Sequence, residues 1–173
     1  MFKKFAAPVA ALLLLAGVAQ AQSAKPNDAQ IAHIAYTAGL ADIANAEQAM
    51  KKSKNKEVRY FAQDMLRDHK AVNDQALALV KKLNVTPQDN DTSKSITKAQ
   101  ADKRAEMEKL NGAAFDKAYA ANEAAYHKTV NGALESTLIP SANNGELKSL
   151  LQTGLKIFQG HQQHAEHVAA SLK

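Results

Sequence analysis

The chain has 173 residues, which is enough for one domain with a substantial core. It contains no cysteine, so disulfides, thiolate metal sites and cysteine nucleophiles are excluded. The formal net charge is only +5, aromatic residues make up 5% of the chain and tryptophan is absent. The sequence therefore offers neither the basic surface nor the aromatic stacking platform of a nucleic-acid-binding protein.

The first 21 residues have the composition of a secretory signal peptide. Lys3 and Lys4 precede the apolar run Phe5–Val18, and Ala19-Gln20-Ala21 has the small-residue pattern of a cleavage site. We expect cleavage after Ala21, a mature chain of net charge +3 and a periplasmic or secreted location. Because a bilayer-spanning helix needs about 20 apolar residues, no later segment is long enough, and we expect no transmembrane segment in the mature chain.

The remaining chain divides into a linker, residues 22–27, and one domain, residues 28–173. Apolar residues recur at steps of three and four through most of this domain, which is the pattern of amphipathic helices. The predicted helices run from Asn27 or Asp28 to about Ser53, from Lys56 to about Leu83, from Ser93 to about Leu110, from Ala113 to about Leu138, and from Glu146 to about Ser171.

The second predicted helix has the clearest pattern. Its apolar stripe includes Phe61, Met65 and Leu79, and His69 falls on the same stripe with Asp68 beside it. Asp68 could orient His69 or supply a second ligand. A histidine on an apolar stripe points toward the core, so the pattern predicts a polar group inside the bundle.

The third predicted helix is dense in charge and poor in apolar residues, which indicates a mostly solvated crossover. Thr86-Pro87 lies in a predicted loop, residues 84–91, and Ile139-Pro140 with residues 141–145 forms a second one. No alternating apolar–polar run of strand length occurs. The predicted fold class is all-α, with four long helices and a crossover helix joined as a near-antiparallel bundle.

Acidic and histidine side chains fall on or near the inward faces of four predicted helices. Bundle cores build metal sites from such groups on facing helices, and nitrogen and oxygen donors suit copper, zinc or iron. The alternative is an ordinary polar core in which these groups hydrogen-bond to one another. The candidate metal ligands are Asp42, Asp68, His69, Glu123, His127 and His161.

Other chemistries lack their sequence patterns. The Glu-x-x-His element of di-iron bundles does not occur, the serines have no nucleophile-elbow motif, and glycine-rich phosphate loops are absent. We therefore assign no catalytic or organic-cofactor residues and favour a non-enzymatic protein. The run His161-Gln-Gln-His164-Ala-Glu-His167 could bind metal weakly at the surface, although the simpler interpretation is a polar flank of the last helix.

Four segments stand out as motifs: GLADI (Gly39–Ile43), EVRYFAQDMLRDHKAVN (Glu57–Asn73), LNGAAFDKAY (Leu110–Tyr119) continuing to His127, and the last helix with His161 and Ala165. Together they resemble a bacterial family, the exported ferritin-like proteins with domain of unknown function 4142, which are often labelled outer membrane proteins. The resemblance covers about residues 28–172, and its FAQxMxxDHxxxN element is the most specific part.

The resemblance implies an exported ferritin-like four-helix bundle with a recurrent set of acids and histidines. By motif match that set is Asp42, Asp68, His69, His127 and His161. This sequence has Asp42 where the family pattern usually has glutamate, and Glu123 where an apolar residue is common, so the position of a ligand oxygen differs. The family has no settled activity.

Two hypotheses about function follow from the sequence. The first is an exported bundle that binds a transition metal and acts in envelope stress or metal handling. The second is a non-catalytic structural or interaction module of the cell envelope with a paired polar core. The sequence identifies neither a protein partner nor an oligomeric state.

Overall fold

The computed structural model describes residues 25–172 of the chain. The predicted signal peptide and its cleavage site lie outside these residues. All regular elements from Lys25 to Leu172 are helical, which confirms the all-α prediction. Within this part of the chain, no helix combines the length and the apolar character that a membrane crossing requires.

The helices lie close to the predicted positions. We number them α1 to α6, and a π-helical turn joins α4 to the short α5. The elements are α1 (Asp28–Lys52), α2 (Lys56–Lys82), α3 (Asp91–Glu108), α4 (Gly112–Ala133), the π-helical turn (Leu134–Leu138), α5 (Ile139–Ser141) and α6 (Gly145–Ser171).

Four of the described helices begin with a side-chain cap, and in each of them the capping residue is an asparagine. The Oδ1 of Asn27 accepts a hydrogen bond from the backbone N–H of Gln30 at 2.9 Å, which satisfies one of the unpaired amides at the start of α1. Asn55, Asn90 and Asn144 cap α2, α3 and α6 in the same way. These caps fix where each helix begins. The third helix accordingly begins at Asp91, two residues before the predicted Ser93.

The directions of the helices follow from contacts between their ends. Asn73 near the middle of α2 reaches Tyr36 of α1, and Arg59 near the start of α2 reaches Met50 near the end of α1, so these two helices are antiparallel. Ser171 at the end of α6 bonds to Glu57 at the start of α2, so α6 is antiparallel to α2.

Helix α3 is the crossover. Its cap Asn90 lies beside Gln30 at the start of α1, while Glu108 at its end bonds to Lys52 at the end of α1. The helix therefore runs along α1 and returns the chain to the end of the bundle where α4 begins, so that α4 is antiparallel to α1. A bundle with one such long crossover has the connectivity of ferritin-like proteins; the ferritin-like assignment itself stays a prediction.

The apolar core consists of two clusters at opposite ends of the bundle. The first is built around the large side chains of Phe61, Met65, Phe115 and Tyr119, all of them fully buried. The second contains Ile31, Leu134, Leu138, Leu147 and Leu151. The polar residues predicted to face inward lie between these two clusters, at mid-height of the bundle.

The predicted loop at Ile139-Pro140 is wrong, because the chain stays helical to Ser141 and only residues 142–144 separate it from α6. Pro140 has no N–H, and in a regular α-helix its ring clashes with the carbonyl one turn earlier. The π-helical turn, in which the N–H of Ile139 bonds to the carbonyl of Leu134, widens the helix just before the proline. The proline is therefore accommodated without ending the helix.

Candidate metal centre

Five of the predicted ligands meet in the interior at mid-height of the bundle. Helix α1 contributes Asp42, α2 contributes His69, α4 contributes Glu123 and His127, and α6 contributes His161. All five are buried. Each helix places its ligand near its own midpoint on the face that packs inward, so the meeting point follows from helical periodicity and from the directions of the helices.

The histidines form the tightest group. His69, His127 and His161 each present a ligand atom, and these atoms all lie within 4.8 Å of one another. The Nε2 atoms of His69 and His127 are 3.4 Å apart. Three imidazoles from three different helices thus converge on one small volume.

Neighbouring groups fix the orientation of each ring. The Nδ1–H of His127 donates to the carbonyl of Glu123 at 3.0 Å, which leaves the lone pair of its Nε2 to accept from Nε2–H of His69. The Nε2–H of His161 donates to Oδ2 of Asp68 at 3.0 Å, which leaves its Nδ1. The ring of Phe158 stacks on His69 with a centroid separation of 4.7 Å and an angle of 11° between the ring planes.

Asp68 does not pair with His69, its neighbour in the sequence. Successive residues on a helix are rotated by about 100°, so Asp68 points toward α6 and the surface while His69 points inward. Its carboxylate accepts hydrogen bonds from His161 and from Arg67. Partial burial acts to raise the pKa of Asp68, but these hydrogen bonds outweigh it and lower the pKa. Asp68 belongs to neither group of potential ligand atoms.

A second group shares His127 with the first. Asp42, Glu123 and His127 offer ligand atoms that also lie within 4.8 Å of one another. Oδ2 of Asp42 is 3.5 Å from Nε2 of His69, so the two groups are continuous. Burial and the adjacent Glu123 raise the pKa of Asp42 well above its ordinary value, and burial raises the pKa of Glu123 as well. The two carboxyl groups therefore share a proton near neutral pH.

The histidines of the site are neutral near pH 7. Burial, followed by the charges of His127 and His161, lowers the pKa of His69 well below its usual range. Burial lowers the pKa of His127 to about 4. It also lowers the pKa of His161, although the Asp68 carboxylate opposes that effect.

Several buried polar atoms in this region lack a hydrogen-bond partner among the described residues. Polar groups in native interiors are nearly always paired, so a concentration of unpaired atoms at one place is unusual. The atoms around the site are His69 Nδ1, Tyr119 OH and His161 Nδ1, together with Asp42 Oδ1 and Glu123 Oε2, which have a partner only when the two carboxyl groups share a proton. The unpaired acceptors and ring nitrogens lie on the residues that form the two groups.

A polar network behind Glu123 was missed by the sequence reasoning. The Nδ2 of Asn45 donates to Oε1 of Glu123 at 3.1 Å and to Oε1 of Gln100 at 3.0 Å, and Arg104 donates to Oδ1 of Asn45 at 3.1 Å. The network ties the crossover helix to the site. One signal was available, because Asn45 lies three residues after Asp42 and so shares its inward face.

The surface histidines of α6 lie apart from the site. His164 packs against the rings of Phe61 and Tyr60, with centroid distances of 5.0 and 6.2 Å. His167 is exposed, and its Nε2 lies 3.8 Å from Oε1 of Glu57. Neither residue belongs to a group of converging ligand atoms among the described residues. The polar-flank interpretation therefore fits His164 and His167, whereas His161 of the same run is buried in the site.

Comparisons with known proteins identify a family. No curated protein and no solved structure matches the chain. The model of one protein family, described as domain of unknown function (DUF4142), matches residues 14–168. This match covers both core clusters and every residue of the candidate site, and the chain belongs to that family.

Proposed function

We propose that this protein is an exported helical bundle that binds one transition-metal ion in its core and acts in metal handling or stress protection in the cell envelope. His69, His127 and His161 would hold the ion, with Asp42 and Glu123 beside them. The observation that carries the proposal is the convergence of three buried histidines, from three helices, with ligand atoms within 4.8 Å of one another.

The spacing of the histidines suits coordination. Two nitrogen ligands of a tetrahedral zinc ion, each at about 2.0–2.1 Å, are separated by about 3.3 Å. Nε2 of His69 and Nε2 of His127 are 3.4 Å apart. An ion could therefore be bound by this pair with little movement of either helix.

The protonation states also suit a metal. A ligating histidine must be neutral, and the lowered pKa values of His69, His127 and His161 keep all three neutral at pH 7. The nearby acids have raised pKa values because they are buried without a compensating cation. A divalent ion would supply that charge and favour their ionised forms.

The surroundings of the histidines support the same conclusion. A metal-binding histidine usually donates its other ring N–H to a carboxylate or a backbone carbonyl, which fixes its orientation. Asp68 accepts such a bond from His161, and the carbonyl of Glu123 accepts one from His127. Each of these two rings is thus oriented with its other nitrogen available as a ligand.

The types of ligand atom restrict which metal ions would suit the site. Several imidazole nitrogens with adjacent carboxylates match zinc, copper or iron, whereas calcium and magnesium prefer oxygen ligands alone. A paired polar core explains the arrangement less well. It would leave Nδ1 of His69 and Nδ1 of His161 buried without partners.

The proposal can be tested by titrating protein that carries no polyhistidine tag with zinc, copper and ferrous iron, followed by calorimetry. The wild type should bind one equivalent of at least one metal. The variants His69→Gln, His127→Gln and His161→Gln should each weaken that binding sharply, because two remaining imidazoles rarely complete the geometry. All variants should stay folded, since the two apolar clusters do not depend on the ion.

His164→Gln and His167→Gln are the matched controls, because they change histidines of α6 outside the site. Both should bind like the wild type. Loss of binding in these two variants, with unchanged binding in the first three, would move the metal to the surface of α6. A wild type that neither binds metal nor gains thermal stability from it would favour the structural module with a paired core.

A further inference from the structure

A cavity of about 500 Å³ lies at the end of the bundle that contains the second apolar cluster. Helices α1, α2, α3, α4 and α6 and the π-helical turn all contribute to its walls. The volume falls within the range of roughly 300–1,000 Å³ that is typical of small-molecule sites. It is also much larger than the voids that remain in well-packed cores.

Small side chains create this space. Ala35, Ala38, Ala76, Ala133 and Gly154 line the cavity from four of its helices. The cluster at the opposite end of the bundle contains Phe61, Met65, Phe115 and Tyr119 beside several buried alanines.

The residues that line the cavity indicate which chemical class of ligand it suits. None of the described residues around the cavity is an aspartate, glutamate, lysine, arginine or histidine. Aliphatic side chains form most of the wall, and an ionised group inside it would lose its hydration without gaining a counter-charge. The cavity therefore suits a neutral apolar molecule.

Polar groups occur mainly where the cavity reaches the surface. Thr92, Thr129 and Thr137 are exposed residues of its rim. Deeper in the cavity, the polar atoms are already committed, because the hydroxyl of Tyr126 donates to the carbonyl of Ala38 at 3.3 Å and Asn73 donates to the carbonyl of Tyr36 at 3.3 Å. This change from polar residues at the rim to an apolar interior matches a single-chain molecule with its apolar tail inside and a neutral polar head at the rim.

The irregular helix at the end of α4 also forms part of the cavity wall. Leu134, Thr137 and Leu138 of the π-helical turn line the cavity. Single π-helical turns inside α-helices occur frequently at functional sites. Here the turn widens the helix at the wall of the cavity.

We propose that this cavity binds a neutral single-chain amphiphile, such as a long-chain alcohol or an isoprenoid, with its tail directed toward Phe158. The ring of Phe158 lines the cavity and stacks on His69, so it separates this ligand site from the histidine cluster. The site does not depend on a bound metal.

The test compares three probes of equal chain length, 1-decanol, decanoate and decylammonium, each kept below its solubility limit or micelle concentration. Each displaces the neutral fluorophore N-phenyl-1-naphthylamine from metal-free protein. We expect 1-decanol to bind with at least tenfold higher affinity than either charged probe. Equal affinities for the three probes, or no displacement by 1-decanol, would overturn the proposal.

Substitutions locate the site. Ala76→Phe places a ring in the cavity from α2 and should reduce 1-decanol affinity at least tenfold. Ala78→Phe adds the same ring to an exposed position of α2 that does not line the cavity, and it should bind like the wild type. Ala35→Leu, a smaller change from α1, serves if Ala76→Phe does not fold, and it should also weaken binding.

The oligomeric state provides the last arm of the test. Gel filtration with and without 1-decanol should show the same species. If Ala76→Phe and Ala35→Leu both fold and bind 1-decanol like the wild type, the cavity is not the site. If 1-decanol binds only as the chain self-associates, the apolar surface is an interface between copies, and the proposal is also wrong.

Discussion

The Nε2 atoms of His69 and His127 lie 3.4 Å apart, although the two residues are separated by 58 positions in the sequence. The helices that carry them run in the same direction, because the crossover α3 returns the chain to the end of the bundle where α2 begins, and α4 begins there too. The long crossover therefore sets the parallel direction of α2 and α4, and the two rings lie at the same height because each stands near the middle of its own helix.

Asp68 should act on metal binding through His161. Asp68→Asn removes the carboxylate that orients the ring and raises its basicity, and substitutions of this kind typically cost about 10- to 100-fold in metal affinity. Competition with a chelator of known affinity measures the effect. Asp64→Asn is the control, because Asp64 shares Arg67 with Asp68 but makes no hydrogen bond to His161. Equal losses in both variants would argue against a positioning role.

Truncations in the closely packed core should be costly. Phe61 and Met65 are fully buried, and replacing either by alanine should reduce the free energy of unfolding by about 2–5 kcal/mol. Lys54→Ala and Lys103→Ala, at exposed positions, should change it by less than about 0.5 kcal/mol. Chemical denaturation measures all four variants. Similar losses at the buried and exposed positions would mean that the helices are rotated relative to the structure.

Acid should destabilise the metal-free protein through His127. Its pKa is about 4 in the folded protein against an ordinary value of 6.5, so below pH 6.5 the unfolded chain takes up a proton that the folded protein does not. This stability is present above pH 6.5 and is lost as the pH falls toward 4, by about 3 kcal/mol for a shift of this size.

The comparison of wild type with His127→Gln isolates this effect. The pKa values of Asp42 and Glu123 are raised in the folded protein, so these two acids stabilise the folded state as the pH falls. Their effect on the free energy of unfolding is therefore opposite to that of His127 in the same pH range. The stability difference, wild type minus variant, should therefore decrease between pH 6.5 and pH 4. A difference that stays constant over this range would show that His127 is not buried in its neutral form.

Export should remove the first 21 residues. The motivating pattern is Lys3-Lys4, the apolar run Phe5–Val18 and Ala19-Gln20-Ala21. The intact mass and the N-terminal sequence of protein recovered from the envelope should identify Gln22 as the first residue. Protein that retains Met1, or that sediments with membranes after export, would contradict the prediction.

Local rules predicted most of the fold. Periodicity located the long helices. Asn27, Asn55 and the asparagine just before the last helix mark where three of them begin. The prediction failed at Pro140, because a π-helical turn can accommodate a proline that an α-helix cannot. That widening depends on i→i+5 bonding, which leaves no recognisable pattern in the residues.

The sequence predicted the inward residues of the site better than their partners. His69 follows the apolar stripe of its own helix, so its direction is a local property. The partnership of Asp68 with His161, the stacking of Phe158 on His69 and the approach of Asp42 to Glu123 each join different helices. These contacts depend on how the helices are rotated and offset, which periodicity within one helix does not determine.

The most direct test of the central claim is a crystal structure of the protein loaded with one equivalent of zinc, with diffraction data collected on both sides of the zinc absorption edge. We expect one anomalous peak bounded by the imidazoles of His69, His127 and His161. A peak beside His164 or His167, or no peak in crystals of protein that had been loaded with the metal, would contradict the proposed metal site.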